Sequence, residues 1–318
     1  MMKKGRGIYK GTKRFLAHSY RALTDKKIKV LLLVYHRVLD GARFNPLNNI
    51  VQPATFIRQI DAIAKKYSIV TLSDIIEQCR LGRTKGRNQV VLTFDDGYSD
   101  NYEIAFPVLQ KKGLPAAFFL ITDYMNSNKP LWDWQIINIL SDCASIKNIE
   151  LPDEVIRQGR FEPRLSFTYR ILNKMKPLTF TERQGAISSL KVKTSCAFNS
   201  DRCMTWEEAK KMSESGMEIG SHSLSHRSLA RIPFLEAKEE IRKSKEIIGY
   251  HMGRACRYFS FPFGGRQDYN QQLIDYAKEV GYQACLSNVQ GYNYFKEDSL
   301  CFKRIIMEEA TDTRYLLG

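Results

Sequence analysis

Short apolar runs alternate along the chain with longer segments in which apolar residues recur at helical spacing. The apolar runs, which we interpret as buried strands, lie at residues 28–34, 89–94 and 116–121. The segments with helical spacing lie at residues 53–66, 73–81 and 99–112. Because strands that alternate with helices form a mainly parallel sheet covered by helices, this pattern predicts an α/β fold.

The alternation stops between residues 122 and 202, a stretch that is too long for a plain loop and that contains several helical patterns. We interpret it as a helical insertion placed over one end of the sheet. Its residues Trp132 and Trp134 either line a substrate groove or pack the insertion onto the rest of the domain. The alternation then resumes, with strands predicted at 217–219, 257–261, 283–286 and 300–307 and with helices beginning at Thr205, Pro233 and Asn270.

The chain of 318 residues carries a net charge of +15, and its first residues are strongly basic. Residues 1–29 contain ten Lys or Arg and one Asp, with apolar residues such as Ile8, Phe15 and Leu23 between them. We interpret residues 1–27 either as a disordered basic tail or as an amphipathic helix in contact with an anionic membrane. They lack the apolar core and cleavage site of a signal peptide, and no nucleic-acid-binding module follows them.

Composition indicates a globular protein, and we assign residues 28–318 to one domain. The seven cysteines are scattered and form no Cys-x-x-Cys pair, which favours reduced residues that fill the core. No apolar stretch approaches the roughly 20 residues that span a bilayer. We therefore expect a cytoplasmic protein that is peripheral on the inner membrane if residues 1–27 bind lipid, with the cell envelope as the alternative. The oligomeric state stays open.

Two polar motifs stand at the ends of predicted strands. Asp95 and Asp96 directly follow the strand at 89–94, and neighbouring carboxylates in such a position repel each other unless a cation offsets their charge. His222 and His226 follow the strand at 217–219 and are one helical turn apart. Two imidazoles and one carboxylate are a common ligand set for a catalytic metal that keeps positions open for water and substrate. Either motif alone is an ordinary turn or a chance spacing, but their joint occurrence indicates a site.

Three blocks in the same order resemble the polysaccharide deacetylases with the NodB homology domain (carbohydrate esterase family 4). They are Thr93-Phe94-Asp95-Asp96-Gly97, His222-Ser223-x-x-His226 and Arg257-Tyr258-Phe259-Ser260-Phe261-Pro262-Phe263-Gly264. The resemblance implies a distorted, incomplete (β/α) barrel with its site at the C-terminal ends of the strands. It also implies that Asp96, His222 and His226 bind the metal, that Asp95 is the catalytic base, and that Arg257 pairs with Asp95 and holds it in position.

The end of the chain departs from the family pattern. Members of the family usually carry their acid histidine on a late strand, but residues 300–307 contain no histidine. The first strand instead leads into Tyr35-His36, which resembles the permuted branch that acts on poly-N-acetylglucosamine. In that branch the acid comes from the first strand, so the resemblance implies that His36 is the general acid.

The resulting hypothesis is a metal-dependent hydrolase that removes N-acetyl groups from N-acetylhexosamine units of a polysaccharide or exopolysaccharide precursor. Zinc is the expected metal, and cobalt, nickel or manganese would also suit these ligands. The alternatives are a deacylase of a lipid-linked glycan at the membrane face and a carbohydrate-binding protein without activity. The hypothesis fails if Asp96 lies more than about 8 Å from both imidazoles, because no shared ion could then be bound.

Overall fold

The structure is a computed structural model, and it describes residues 29–41, 45–82, 88–128, 130–142, 146–192, 202–294, 301–313 and 316. The basic segment 1–27, which we interpreted as a tail or an amphipathic helix, lies outside the described residues, as do Cys143 and Cys196. Within the described ranges, no helix is both long enough and apolar enough to cross a membrane.

Helices and strands alternate through most of the described chain. The helices are α1 Pro53–Lys66, α2 Leu72–Arg80, α3 Phe106–Lys112, α4 Trp132–Asp142, α5 Arg164–Met175, α6 Phe180–Val192, α7 Trp206–Glu214, α8 Phe234–Met252 and α9 Gln271–Glu279. The strands are β1 Lys29–Tyr35, β2 Arg37–Val38, β3 Ile50–Val51, β4 Ser68–Ile69, β5 Gln89–Phe94, β6 Ala117–Leu120, β7 Asn148–Glu150, β8 Val155–Arg157, β9 Glu218–Ser221, β10 Tyr258–Ser260, β11 Ala284–Leu286, β12 Asn293–Tyr294, β13 Cys301–Phe302 and β14 Ile305–Ile306.

The main sheet is a nearly closed barrel. Its strands follow the order β12-β1-β5-β6-β9-β10-β11-β13, and all neighbours from β1 to β13 are parallel. Only residues 303 and 304 separate β13 from β14, and β14 pairs in parallel with β1 at the opposite side of the sheet. This connection brings the two sides together and confirms the predicted incomplete (β/α) barrel. The single strand predicted at 300–307 is therefore two short strands with a link between them.

The two faces of each strand pack against different neighbours. In β5, Val90, Leu92 and Phe94 pack in the apolar layer that the sheet shares with the surrounding helices. Val91 belongs to a second cluster, with Leu32 and Phe119, which fills the barrel interior. Since successive side chains on a strand point to opposite faces, this alternation directs residue 95 inward, at the C-terminal mouth of the barrel.

The insertion between β6 and β9 has an apolar core of its own. It contains α4, α5 and α6 and also an antiparallel hairpin of β7 and β8, which the sequence pattern did not predict. Each hairpin strand has three residues with only the middle one buried, so it is too short to show a period. Trp132 and Trp134 are both buried within this core, and Trp132 also borders the cavity at the barrel mouth.

Candidate metal and catalytic site

Asp96, His222 and His226 converge at the C-terminal ends of neighbouring parts of the barrel. The Asp96 Oδ1 atom lies 3.5 Å from the Nε2 atom of His222 and 3.5 Å from the Nε2 atom of His226. Asp96 and His226 reach this point from left-handed backbone, with φ values of 75° and 58°. Strain of this kind in residues other than glycine is concentrated at functional sites. The structure thus brings these three side chains together around one point.

The donor set fits a divalent cation. The His222 Nδ1 atom lies 2.7 Å from the carbonyl oxygen of Ser260, so Nδ1 carries the proton and the Nε2 lone pair faces Asp96. Asp96 Oδ1 is buried without a hydrogen-bond partner among the described residues. Two ligand atoms that share a tetrahedral zinc ion at about 2 Å lie roughly 3.3 Å apart, which is close to the separations seen here.

Burial and neighbouring charges shift the pKa values of the three ligand side chains in different directions. Burial would raise the pKa of Asp96, but the neighbouring imidazoles hold it well below its usual range, so the carboxylate is ionised. Burial lowers the pKa of His226 to about 3, so its ring is neutral. Burial also disfavours a charged His222, but Asp95 and Asp96 outweigh this effect and raise its pKa.

Asp95 is buried and is held by Arg304, not by Arg257. The guanidinium of Arg304 donates to both carboxylate oxygens of Asp95, at 2.8 Å to Oδ1 and 2.6 Å to Oδ2. Neither side chain has any measurable exposure. The Ser260 hydroxyl donates to Asp95 Oδ2 at 3.2 Å and accepts from Arg304 at 2.8 Å, so it joins both members of the pair.

The predicted pairing of Arg257 with Asp95 is wrong. Arg257 precedes the three-residue strand β10, whereas the site lies past the other end of that strand, about 10 Å away. Its exposed side chain lies over the Tyr258 ring and 3.4 Å from the Ser73 hydroxyl. Lys303-Arg304 interrupts a run that otherwise reads as a buried strand, but this interruption does not indicate Asp95 as the partner of Arg304.

Arg304 determines the charge state of Asp95. Burial alone would raise the pKa of this carboxyl, but the Arg304 guanidinium, followed by the His222 ring, outweighs burial and holds the pKa below its usual range. The His222 Nε2 atom lies 3.8 Å from Asp95 Oδ2. Asp95 is therefore an ionised carboxylate beside the three-residue donor set, a suitable position for a proton acceptor.

His36 borders the same cavity at the end of β1. Its Nδ1 atom is buried and has no hydrogen-bond partner among the described residues. Burial lowers the pKa of the ring, and the nearby charges of Asp96 and Asp95 oppose this effect only in part. The backbone around His36 is fixed, because Asn101 donates to the His36 carbonyl oxygen at 2.8 Å and Arg37 pairs with Asp100 at 2.9 Å.

The loop that carries both imidazoles is held from two sides. Glu240 of α8 accepts hydrogen bonds from the backbone N–H groups of Leu224 and Ser225, each at 2.9 Å. Arg183 of α6 donates to the carbonyl oxygens of Ser225 at 2.8 Å and His226 at 3.1 Å. These buried contacts attach the loop both to the barrel helices and to the insertion. Neither Glu240 nor Arg183 was identified from the sequence, since local patterns carry no information on such distant contacts.

A cavity of about 650 Å³ opens over these residues. Asp96, His222, His226 and His36 border one side of it, and the insertion supplies another wall that includes Asp133 and Tyr169. Its size lies within the range of about 300–1,000 Å³ that is usual for small-molecule sites. The insertion therefore takes part in forming the binding site.

Comparisons with known sequences point to one chemistry. Residues 82–285 match the family described as polysaccharide deacetylase. YxkH of Bacillus subtilis (strain 168) is 20% identical over 273 residues, which cover 84% of this chain and 67% of that protein. The poly-β-1,6-N-acetyl-D-glucosamine N-deacetylase of Staphylococcus epidermidis is 29% identical over 140 residues, which cover 38% of this chain and 44% of that protein.

Solved structures share the architecture. A Streptococcus pyogenes deacetylase, PplD in complex with acetate, matches with a TM-score of 0.61 and 17% identity, over 92% of this chain and 98% of that one. IcaB from Ammonifex degensii matches with a TM-score of 0.60 and 18% identity, over 92% of this chain and 98% of that one. At these identities the similarity establishes a common fold.

Proposed function

The chain belongs to the polysaccharide deacetylase family, and we propose that it hydrolyses the N-acetyl groups of N-acetylhexosamine units in a polymer with the help of a divalent metal. The observation that carries the proposal is the convergence of Asp96 Oδ1 on both imidazole Nε2 atoms at 3.5 Å, with the ionised Asp95 beside them. Adjacent carboxylates joined to a histidine pair suit a metal better than they suit the two separated acids of a glycosidase.

The residues of the chain have distinct roles in this mechanism. A divalent ion held by Asp96, His222 and His226 would acidify a water molecule and polarise the acetamide carbonyl. Asp95 accepts the proton of the attacking water, and Arg304 keeps Asp95 ionised and correctly oriented for that transfer. General-base assistance of this kind is typically worth about 10²- to 10⁴-fold in rate.

His36 donates a proton to the nitrogen of the leaving amine. Because burial lowers its pKa, the ring is neutral at neutral pH, and the proton that it delivers must be acquired during the catalytic cycle. Asp95 takes a proton from the attacking water, and this proton is the source of the one that the initially neutral His36 ring delivers to the amine. His36 borders the cavity, and the buried Asp95 lies 3.8 Å from the Nε2 atom of His222, which borders it too.

For the polymer, we propose poly-N-acetylglucosamine. The relative from Staphylococcus epidermidis is named for its action on the β-1,6-linked polymer, and the position of His36 on the first strand is the feature that resembles this branch. For the metal, we propose zinc, since imidazole and carboxylate ligands suit it, with cobalt, nickel and manganese as the alternatives.

Acetate release tests the proposal. The full chain, stripped with a chelator and then reloaded with each metal in turn, is incubated with acetylated β-1,6-linked and β-1,4-linked oligomers of glucosamine and with a lipid-linked N-acetylhexosamine. Metal-dependent acetate release from a polymer supports the proposal. Absence of release from every substrate by the metal-loaded protein, or full activity after chelation, would overturn it.

Two variants assign the roles within that assay. Asp95→Asn should abolish turnover and keep the metal, whereas His222→Ala should lose both. His251→Ala is the matched control, because this histidine stacks on Trp206 at a ring-centroid distance of 4.0 Å and does not border the cavity. If Asp95→Asn turned over substrate at the wild-type rate, Asp95 would not be the base.

A further inference from the structure

We propose that Asp133 binds hydroxyl groups of the hexosamine ring and thereby positions the sugar over the metal site. This inference rests on the proposed deacetylase function and adds to it a specificity residue from the insertion. Neither the three motif blocks nor any residue predicted from the sequence includes Asp133.

Asp133 is buried where a ligand would meet it. It lies in the first turn of α4, is 5% exposed and borders the same cavity as Asp96, His222 and His226. A carboxylate in this position takes part in the wall that closes over the barrel mouth. A sugar whose acetamide reached the metal site would present its ring to this wall.

The Asp133 carboxylate has little compensation from the protein. Its Oδ1 atom accepts a hydrogen bond from the backbone N–H of Trp134 at 2.8 Å, and a hydrogen bond from its own backbone N–H also lowers its pKa. Within the described part of the chain, no Lys, Arg or His nitrogen lies within the 4.0 Å of an ion pair with it. Buried acids are almost always paired, because an uncompensated buried carboxylate costs solvation free energy. A buried acid left in this state at a cavity wall is typical of a ligand-binding position.

Arg183, the cation whose charge lowers the pKa of Asp133, is already engaged elsewhere. Arg183 donates to the carbonyl oxygens of Met175 at 3.0 Å and Lys176 at 2.7 Å, in addition to its two bonds to the histidine loop. Its guanidinium also lies 4.4 Å from the centre of the Trp132 ring. Arg183 thus lowers the pKa of Asp133 only weakly, while burial, followed by the charge of Asp96, raises that pKa to about 7.

Sugar hydroxyls are suitable hydrogen-bond partners for the Asp133 carboxyl group. A carboxyl group offers two acceptor oxygens when it is ionised, and one donor with the remaining acceptor positions when it is protonated. Vicinal hydroxyls on a pyranose ring both donate and accept, so they can pair with either form at a suitable spacing. The exposed Tyr169 supplies an aromatic ring to the wall of the same cavity. A purely structural role is the competing explanation, because the buried Tyr98 hydroxyl also lies close enough for Asp133 to raise its pKa.

The test distinguishes a role of Asp133 in sugar binding from a purely structural role. Asp133→Asn and Asp133→Ala are compared with wild type in kcat, KM, metal content and thermal midpoint, using the acetylated oligomer that the wild type deacetylates. We expect KM to rise about 10- to 100-fold, as for lost hydrogen bonds to a charged group, with kcat within a few-fold. Metal content should be unchanged, and the thermal midpoint should be equal or higher. Asp153→Asn is the control, since Asp153 is exposed on the insertion away from the cavity.

A binding titration makes the inference independent of turnover. An acetylated β-1,6-linked oligomer of glucosamine is titrated into metal-loaded Asp95→Asn protein with and without Asp133→Asn. Weaker binding in the double variant supports the inference. Equal binding, a lower thermal midpoint with unchanged KM, or a loss confined to kcat would each overturn it. Failure of the wild type to release acetate would overturn the deacetylase proposal, and the titration would still decide the role of Asp133.

Discussion

Replacing Arg304 with Gln removes the cation that holds the proposed base. Arg304 and Asp95 are both fully buried, and two hydrogen bonds of 2.8 and 2.6 Å join them. Breaking a buried pair by removing one partner typically costs about 3–5 kcal/mol, because the remaining charge has no compensation. Arg304 also donates to the carbonyl oxygen of Ser287 at 3.1 Å, so we expect the upper part of that range.

The effect on stability should depend on pH in a defined direction. In the wild type the pKa of Asp95 is below its unfolded value, so the pair contributes stability above about pH 4 and loses it as the pH falls through the folded pKa. In Arg304→Gln, burial is no longer opposed by the guanidinium, so the folded pKa rises. The difference from wild type should therefore be largest at neutral pH and should shrink as the pH falls through the folded pKa of the wild-type Asp95 carboxyl.

The higher pKa of Asp95 in Arg304→Gln should also change the pH dependence of catalysis. A base must be ionised to accept a proton, so a higher pKa moves the acid limb of kcat/KM to higher pH, by about 1–3 units for the loss of a neighbouring cation. Urea unfolding of the metal-free proteins measures the stability, and acetate release across a pH series measures the limb. Asp95→Asn/Arg304→Gln closes the double-mutant cycle and should recover part of the lost stability.

Arg257→Gln is the matched control for this experiment. Arg257 is exposed and lies at the opposite end of β10 from the site, so its loss should change stability by no more than about 0.5 kcal/mol and leave the acid limb in place. The reasoning fails if Arg304→Gln unfolds at the wild-type urea concentration at neutral pH. It fails equally if the acid limb moves in Arg257→Gln but not in Arg304→Gln.

Three further changes test other parts of the site. His36→Gln should lower kcat about 10²- to 10⁴-fold with the metal retained on elemental analysis, and an unchanged kcat would exclude His36 from proton transfer. Arg183→Met should weaken metal affinity about 10- to 100-fold in chelator competition, because the His226 carbonyl oxygen loses the hydrogen bond of 3.1 Å that Arg183 donates to it. Equal affinity in the variant and the wild type would contradict this. Between about pH 4 and the folded pKa of about 7, the Asp133 carboxyl is ionised only in the unfolded state, so wild-type stability falls as the pH rises. Asp133→Asn removes this group, so the variant should gain stability over the metal-free wild type as the pH rises through this range. The gain should approach about 2–4 kcal/mol in urea unfolding, and a difference that did not vary with pH would refute it.

The local sequence pattern was sufficient to predict which acidic and histidine residues meet at the site. Asp95, Asp96, His222 and His226 each follow a strand whose apolar residues are visible in the sequence, and parallel strands bring their C-terminal ends to one edge. The alternation along β5 also determines that Asp95 turns inward, because the faces of a strand are set by its period of two. The sequence by itself therefore predicted the fold class and the residues that meet at Asp96.

Tertiary structure alone decided which cation holds the base and which acid faces the cavity. Arg304 reaches Asp95 across 209 residues of chain, because the short link between β13 and β14 brings the end of the sheet back to β1. Asp133 depends in the same way on how the insertion sits over the barrel mouth. A strand pattern records which face each residue occupies but carries no information on which distant segment lies opposite, since that depends on how the barrel closes. The family resemblance implied Arg257 at this position, whereas barrel closure places Arg304 at the site.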